Sequence, residues 1–158
     1  MISTSRILLV FLFFPLFLSS KALADGSCTI AVRSIAGAKE GDAQGASELI
    51  PELEQQLGTL PFKRYRIVES VKSKLIGKEE LLLSLAGCTG AKHKLKIRPE
   101  RRTNHGVIFT FDWNNPQGMS LLSTRLNLVN GRTVFVGTEE TQQESTVLAI
   151  RLNCESIK

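Results

Sequence analysis

The sequence predicts a mainly β domain of the α+β kind: an antiparallel sandwich or partial barrel of about eight strands, with one short helix after the first strand. Three observations carry that expectation. Apolar residues recur with period two from Phe62 onward, as they do on strands with one buried face. Only the stretch around Leu49, Leu53 and Leu57 has helical spacing. Turn-forming pairs such as Asn130-Gly131 punctuate the apolar runs.

Taken in order, Thr29 to Ile35 alternates as a first strand, with Ile30 and Val32 on one side and Arg33 on the other. Residues 37–45 are polar and rich in Gly and Ala, which predicts a loop. The helix follows, with Glu48, Glu52 and Glu54 toward its start and Gly58 as its stop. Pro51 is compatible only with a first turn, so the helix starts near Ser47 or at Pro51 itself. Its leucine stripe is expected to cover the sheet.

From there the strands succeed one another. Tyr65, Ile67 and Val71 alternate with Arg64, Arg66 and Ser70. Leu81, Leu83 and Leu85 form the next apolar face, then Leu95 and Ile97 opposite Lys94, Lys96 and Arg98. Val107, Phe109, Phe111 and Trp113 make the strongest inward series, and Leu122, Leu126 and Leu128 continue it. Asn130-Gly131 predicts a tight hairpin returning through Val134 and Val136, because a type I′ turn needs positive φ at both central positions. Leu148, Ile150 and Leu152 close the domain.

Ahead of this domain, Arg6 precedes an apolar run from Ile7 to Leu18 interrupted only by Pro15, and Ala22-x-Ala24 supplies small residues for a peptidase. Residues 1–24 therefore read as a signal peptide and 25–158 as a single β-rich domain. The run is shorter than the roughly 20 residues a membrane-spanning helix needs, and no later segment is apolar enough to span. The expected address is a bacterial periplasm or the extracellular space. Asp25, Gly26 and Ser27 before Cys28 do not fit a lipoprotein motif.

Composition narrows the function classes. The chain carries a net charge of +5, reduced by loss of Arg6 and Lys21 on cleavage. That is mildly basic, below what dedicated nucleic-acid binders show. The spacing of the three cysteines matches no zinc pattern, and no cofactor motif is present. Cys28 shares an apolar face with Ile30 and Val32, and Cys154 one with Leu148, Ile150 and Leu152. If the first and last strands are neighbours, Cys28 and Cys154 pair and Cys88 is spare; the alternative is that all three stay reduced.

Basic residues form the most suggestive surface. Lys92, Lys94, Lys96 and Arg98 project mostly from one side of a strand, and Arg101 and Arg102 extend the run. Such a stripe suits an envelope protein or an anionic glycan or lipid, while lysine on an exposed strand also discourages edge pairing. Aromatics do not interleave with it, which argues against nucleic acid. Other constellations are weaker. Cys88 and His93 flank a turn, but no orienting carboxylate is identified. His105 reads as a loop histidine, and Glu139-Glu140 as a polar hairpin tip. Asp112 to Gly118 offers aromatic and amide side chains suited to sugar or calcium, set against a plain Asn-Pro turn.

Two resemblances follow from quoted residues. The stretch from Leu122 through Asn130-Gly131 to Val136-Gly137 resembles the hairpin near the end of the secretin family's channel domain, with Gly137-Thr138 in place of paired glycines. Leu60-Pro61-Phe62-Lys63-Arg64-Tyr65-Arg66-Ile67-Val68 and the sheet after it resemble small exported bacterial β-rich proteins without an assigned activity. The second implies an envelope location and supplies no site residues. The expected function is a non-enzymatic envelope module that binds or supports another component. The alternatives are an accessory subunit of an export or pilus-like assembly pairing through a strand edge, and a small thiol or hydrolytic enzyme.

Overall fold

The computed structural model describes residues 27–40 and 51–155, so the signal-peptide segment and Leu49 of the predicted leucine stripe lie outside the described residues. Eight strands and one helix follow in chain order: β1 (Cys28–Ala38), α1 (Pro51–Leu57), β2 (Arg64–Leu75), β3 (Leu81–Ala86), β4 (Lys92–Arg102), β5 (Gly106–Asn114), β6 (Ser120–Val129), β7 (Thr133–Glu139) and β8 (Glu144–Cys154). They build two antiparallel sheets, ordered β2-β1-β8-β7 (sheet A) and β3-β4-β5-β6 (sheet B). The result is a sandwich with a seam between β2 and β3 and another between β6 and β7.

The period-two pattern becomes the core directly. Ile30, Val32, Leu148, Ile150 and Leu152 from sheet A meet Leu95, Ile97, Phe109, Phe111, Trp113 and Leu128 from sheet B. Trp113, Phe109 and Phe111 are fully buried; burial of a side chain of that size stabilises by roughly 2–3 kcal/mol. α1 begins at Pro51, where the missing N–H costs nothing. It lays Leu53 and Leu57 over the outward face of sheet A, against Ile35, Val147 and Ala149. The Tyr65 hydroxyl donates to the Leu57 carbonyl at 2.8 Å, satisfying one of the helix's last acceptors.

Three differences from the sequence reading have local causes. The first strand runs on to Ala38, because Gly37 and Ala38 pair with both β2 and β8. The apolar series Tyr65, Ile67, Val71 is not one face. An irregularity at Ser34/Ile35 leaves Val68 unpaired, so Tyr65 and Ile67 pack beneath α1 while Val71 joins the inter-sheet core.

The third difference is the Asn130-Gly131 hairpin. Val129 and Arg132 are joined by a turn hydrogen bond at 3.0 Å and Gly131 takes a φ of 76°, but β6 and β7 belong to different sheets. Asn130 explains the handover. Its backbone N–H donates to the His105 carbonyl at 2.7 Å, while its side chain accepts from the Cys154 N–H at 2.8 Å and donates to the Cys154 carbonyl at 3.3 Å. The residue holds both sheets, so the turn crosses the seam instead of folding a strand on its neighbour.

Candidate functional site

The two ends of the sandwich are closed differently. At the end where β1 begins and β8 finishes, Cys28 and Cys154 are register partners with Cα atoms 4.0 Å apart, joined by a disulfide. The pairing expected from the shared apolar faces is present, and Cys88 is the free, buried thiol.

The opposite end holds a buried polar cluster. Turn β3–β4 brings Cys88, β4 brings His93, β5 brings Trp113, and β7–β8 brings Glu140 and Thr146. Glu140 is its hub. One oxygen, Oε1, accepts from the Thr146 hydroxyl and lies 2.8 Å from His93 Nε2, though that N–H is poorly aligned with it. The other, Oε2, accepts from the Cys88 thiol and the Thr89 hydroxyl, each at 3.3 Å. The Cys88 backbone N–H donates to Thr146 Oγ1 at 2.8 Å. Trp113 Nε1–H donates to His93 Nδ1 at 3.0 Å. Indole nitrogen can only donate, so Nδ1 carries no proton and the ring's N–H is Nε2, facing the carboxylate.

Electrostatics follow from these contacts. Burial pushes the Cys88 thiol up to about 11, and the nearby Glu140 charge acts in the same direction. Burial opposes ionisation of Glu140, yet the hydrogen bonds from Thr146 and Cys88, with the neighbouring His93, hold it below the ordinary carboxylate range. Its neighbour Glu139 points elsewhere and pairs with Lys39 at 2.6 Å.

Gly87 completes the cluster by having no side chain. A Cβ placed there would stand 2.4 Å from His93 Nε2 and 2.5 Å from Glu140 Oε1. Gly87→Ala is therefore expected to push the pair apart and cost about 2 kcal/mol, read as a lower urea midpoint; an unchanged midpoint would mean that the pair is not held there.

Chemically, the order of groups matters more than their identity. In a thiol nucleophile the imidazole stands between sulfur and carboxylate and takes the thiol proton. Here the carboxylate stands between sulfur and imidazole, and Trp113 occupies the imidazole's only lone pair. The cluster ties turn β3–β4 to hairpin β7–β8 as a brace across the sandwich. A shallow pocket of about 270 Å³ opens beside it, lined by Thr89, His93, Asn115, Gln117, Thr138 and Glu140 among others.

The sequence sets Cys88 beside His93 across the turn but gives Glu140 as a polar tip residue and Thr146 and Trp113 as strand residues, so their convergence is visible only in the fold. The signal for Glu140 was its phase: it continues the inward series Val134, Val136, Thr138. The Asp112–Gly118 segment divides. Asp112 faces outward and accepts from Ser123 at 2.5 Å, Trp113 is wholly buried and has no face for a sugar, and Asn115 caps its own turn by accepting from Met119 N–H at 2.8 Å. Among the described residues no group of three or more His, Cys, Asp or Glu side chains is arranged to hold a metal ion.

The basic stripe is brought together only in part. Lys92, Lys94, Lys96 and Arg98 do share the outward side of sheet B, while His93 between them points inward. Lys92 reaches across the seam to Glu69 at 2.7 Å, and Lys96 and Arg98 share Glu80 at 3.3 and 3.0 Å. A register shift between Pro99 and Arg101 leaves Glu100 unpaired and reverses the phase. Arg101 stays exposed, but Arg102 turns toward the disulfide, its Nη2 donating to Cys28 Sγ at 3.2 Å. Glu69, which also accepts from the Ala86 N–H at 2.6 Å, is a seam residue that alternation alone did not single out. No family model, no curated protein and no solved structure matches this chain.

Proposed function

We propose that this chain is an exported, non-enzymatic module of the cell envelope that holds or supports another envelope component. The observation that carries the reading is the sequence of groups at the braced end: thiol, carboxylate, imidazole, indole. The thiol donates to the carboxylate and keeps its proton, the indole takes the imidazole's lone pair, and the imidazole does not face the sulfur. Such a cluster stabilises a scaffold and has no nucleophile to offer. The Cys28–Cys154 bridge supports the address, since crosslinks of this kind persist in oxidising compartments.

The test combines reactivity, mass and capture. In the folded protein Cys88 should resist iodoacetamide at about pH 8, while the unfolded chain reacts fully. Native protein should have lost residues 1–24, and in-cell crosslinking should return one envelope component reproducibly. Rapid alkylation of folded Cys88 that abolishes a measurable turnover would overturn the non-enzymatic reading. Retention of residues 1–24 would overturn the address, and absence of any adduct would overturn the binding role.

A further inference from the structure

We propose that the half of the outward face of sheet A not covered by α1 docks on an anionic lipid bilayer. The cations of this protein fall into two groups. On sheet B, Lys92, Lys96, Arg98 and Arg125 each hold a glutamate: Glu69, Glu80, Glu80 and Glu100 respectively. On sheet A, Lys39 holds Glu139, while Arg33, Lys72 and Lys74 form no ion pair among the described residues.

The strand register sets out the second group. α1 covers the part of the outward face around Ile35, Val147 and Ala149. Beyond it, toward the disulfide, Lys72 stands opposite Ala31, Lys74 opposite Thr29, and Arg33 opposite Ser70. On β8, Arg33 faces Ala149 and Thr29 faces Asn153. The three cations Arg33, Lys72 and Lys74 therefore frame Thr29, Ala31 and Ser70, with Arg151 opposite Ala31 on β8, and none of the positions paired with the three is acidic. Among the described residues no carboxylate pairs with any of the three, which leaves their charge for a partner.

The same outward row of β2 continues past the strand. Ser70, Lys72 and Lys74 alternate on to Ile76, which is 64% exposed. Gly77, with a φ of 56°, turns the chain there and Lys78 follows, also exposed. A flat positive face that ends in an unburied aliphatic side chain matches the two layers of a bilayer surface, phosphate above and acyl boundary below. Single-stranded nucleic acid would call for stacking aromatics, and this row has none. A soluble polyanion would leave Ile76 without a role. The partner named here rests on the reading of the chain as an exported envelope module.

The experiment mixes natively produced, disulfide-bonded protein with vesicles of phosphatidylglycerol in phosphatidylcholine, or of phosphatidylcholine alone, and measures cosedimentation. Binding is expected to the anionic vesicles only, and to fall as salt rises. Lys72→Gln/Lys74→Gln should weaken it about 25-fold, roughly five-fold for each lysine at such a surface. Ile76→Ser should weaken it while leaving the salt dependence intact, and Arg125→Gln on the other sheet should leave it unchanged. These side chains are exposed, and an unaltered thermal transition verifies that each variant is folded.

Equal binding to phosphatidylcholine, or no loss in the double lysine variant, would overturn the proposal. So would binding to dextran sulfate without binding to vesicles, which would assign the patch to a soluble polyanion. Variant and parent share the same N-terminus, so their difference reads the patch alone. Failure of vesicle binding leaves export standing, because export is read separately from the native mass.

Discussion

Cys154→Ala is expected to lower the unfolding free energy by about 4 kcal/mol, measured as the loss in urea-extrapolated stability under non-reducing conditions. The reasoning starts from chain length. The bridge joins residues 126 apart in sequence, so it closes nearly the whole folded chain into one loop and removes a large conformational freedom from the unfolded ensemble. It also sits where β1 and β8 meet, the pairing that makes sheet A continuous from the β2–β1 half to the β8–β7 half. Without it the two chain ends are held by main-chain pairing, by Asn130 on Cys154, and by the Glu155 N–H donating to the Ser27 carbonyl at 3.0 Å. Those contacts keep the fold but not the constraint. A loss below about 1 kcal/mol would mean the unfolded state is already compact or the bridge is not formed.

Glu140→Ala should cost about 3 kcal/mol, because it strands several buried donors at once. His93 Nε2, the Thr146 hydroxyl and the Cys88 thiol all face that carboxylate and have little access to water. Glu140→Gln should cost less, since an amide oxygen still accepts one or two of these bonds. The two variants separate shape from charge. The charge has its own signature in acid. A carboxyl held below its ordinary range in the folded state adds stability that is fully present above the unfolded value, about 4.3, and is lost as pH falls through the lower folded value. Glu140 behaves this way, and Glu69, Glu80, Glu100 and Glu139 are shifted in the same direction by their lysine, arginine and hydroxyl partners. The surface carboxylates add little each. Urea unfolding between about pH 7 and pH 3 should therefore show a decline that is shallower in Glu140→Gln. An identical decline in parent and variant would show that Glu140 is not the group being protonated.

Cys88 behaves in the opposite sense. Its thiol is raised to about 11 in the fold, so its contribution is present below the unfolded thiol value and disappears as pH climbs through the folded one. The braced end is thus most stable in the range where Glu140 is charged and Cys88 is not.

Much of the architecture was legible because burial on strands follows alternation. Phe109, Phe111 and Trp113 announced the centre of sheet B, and Leu148, Ile150 and Leu152 the centre of sheet A, since a period of two leaves one face for water and one for the core. The cysteine faces made the bridge possible for the same reason, and the adjacency of β1 and β8 made it real. Alternation failed at the irregularities. One unpaired residue near Val68 sends Tyr65 and Val71 to opposite sides, and one near Glu100 turns Arg102 inward while Arg101 stays out; neither has a signature in residue type. Asn130-Gly131 carried the chemistry of a tight turn, but the partner of that turn depends on side-chain bonds to Cys154, a residue 24 positions away.

By itself, then, the amino-acid order determined the apolar faces of the strands, the strand-rich class and the place of the helix, and it put Cys28 and Cys154 on apolar faces without fixing their pairing. Tertiary structure alone decided which groups meet. It put Glu140 between a thiol and an imidazole contributed by other parts of the chain, paired most of the cations on sheet B with glutamates, and left Arg33, Lys72 and Lys74 together with no acid paired to them among the described residues. The physical reason is range. Alternation is a local consequence of backbone geometry and repeats every two residues, whereas polar clusters and charged faces depend on register across strands far apart in the chain, and a single bulge changes that register.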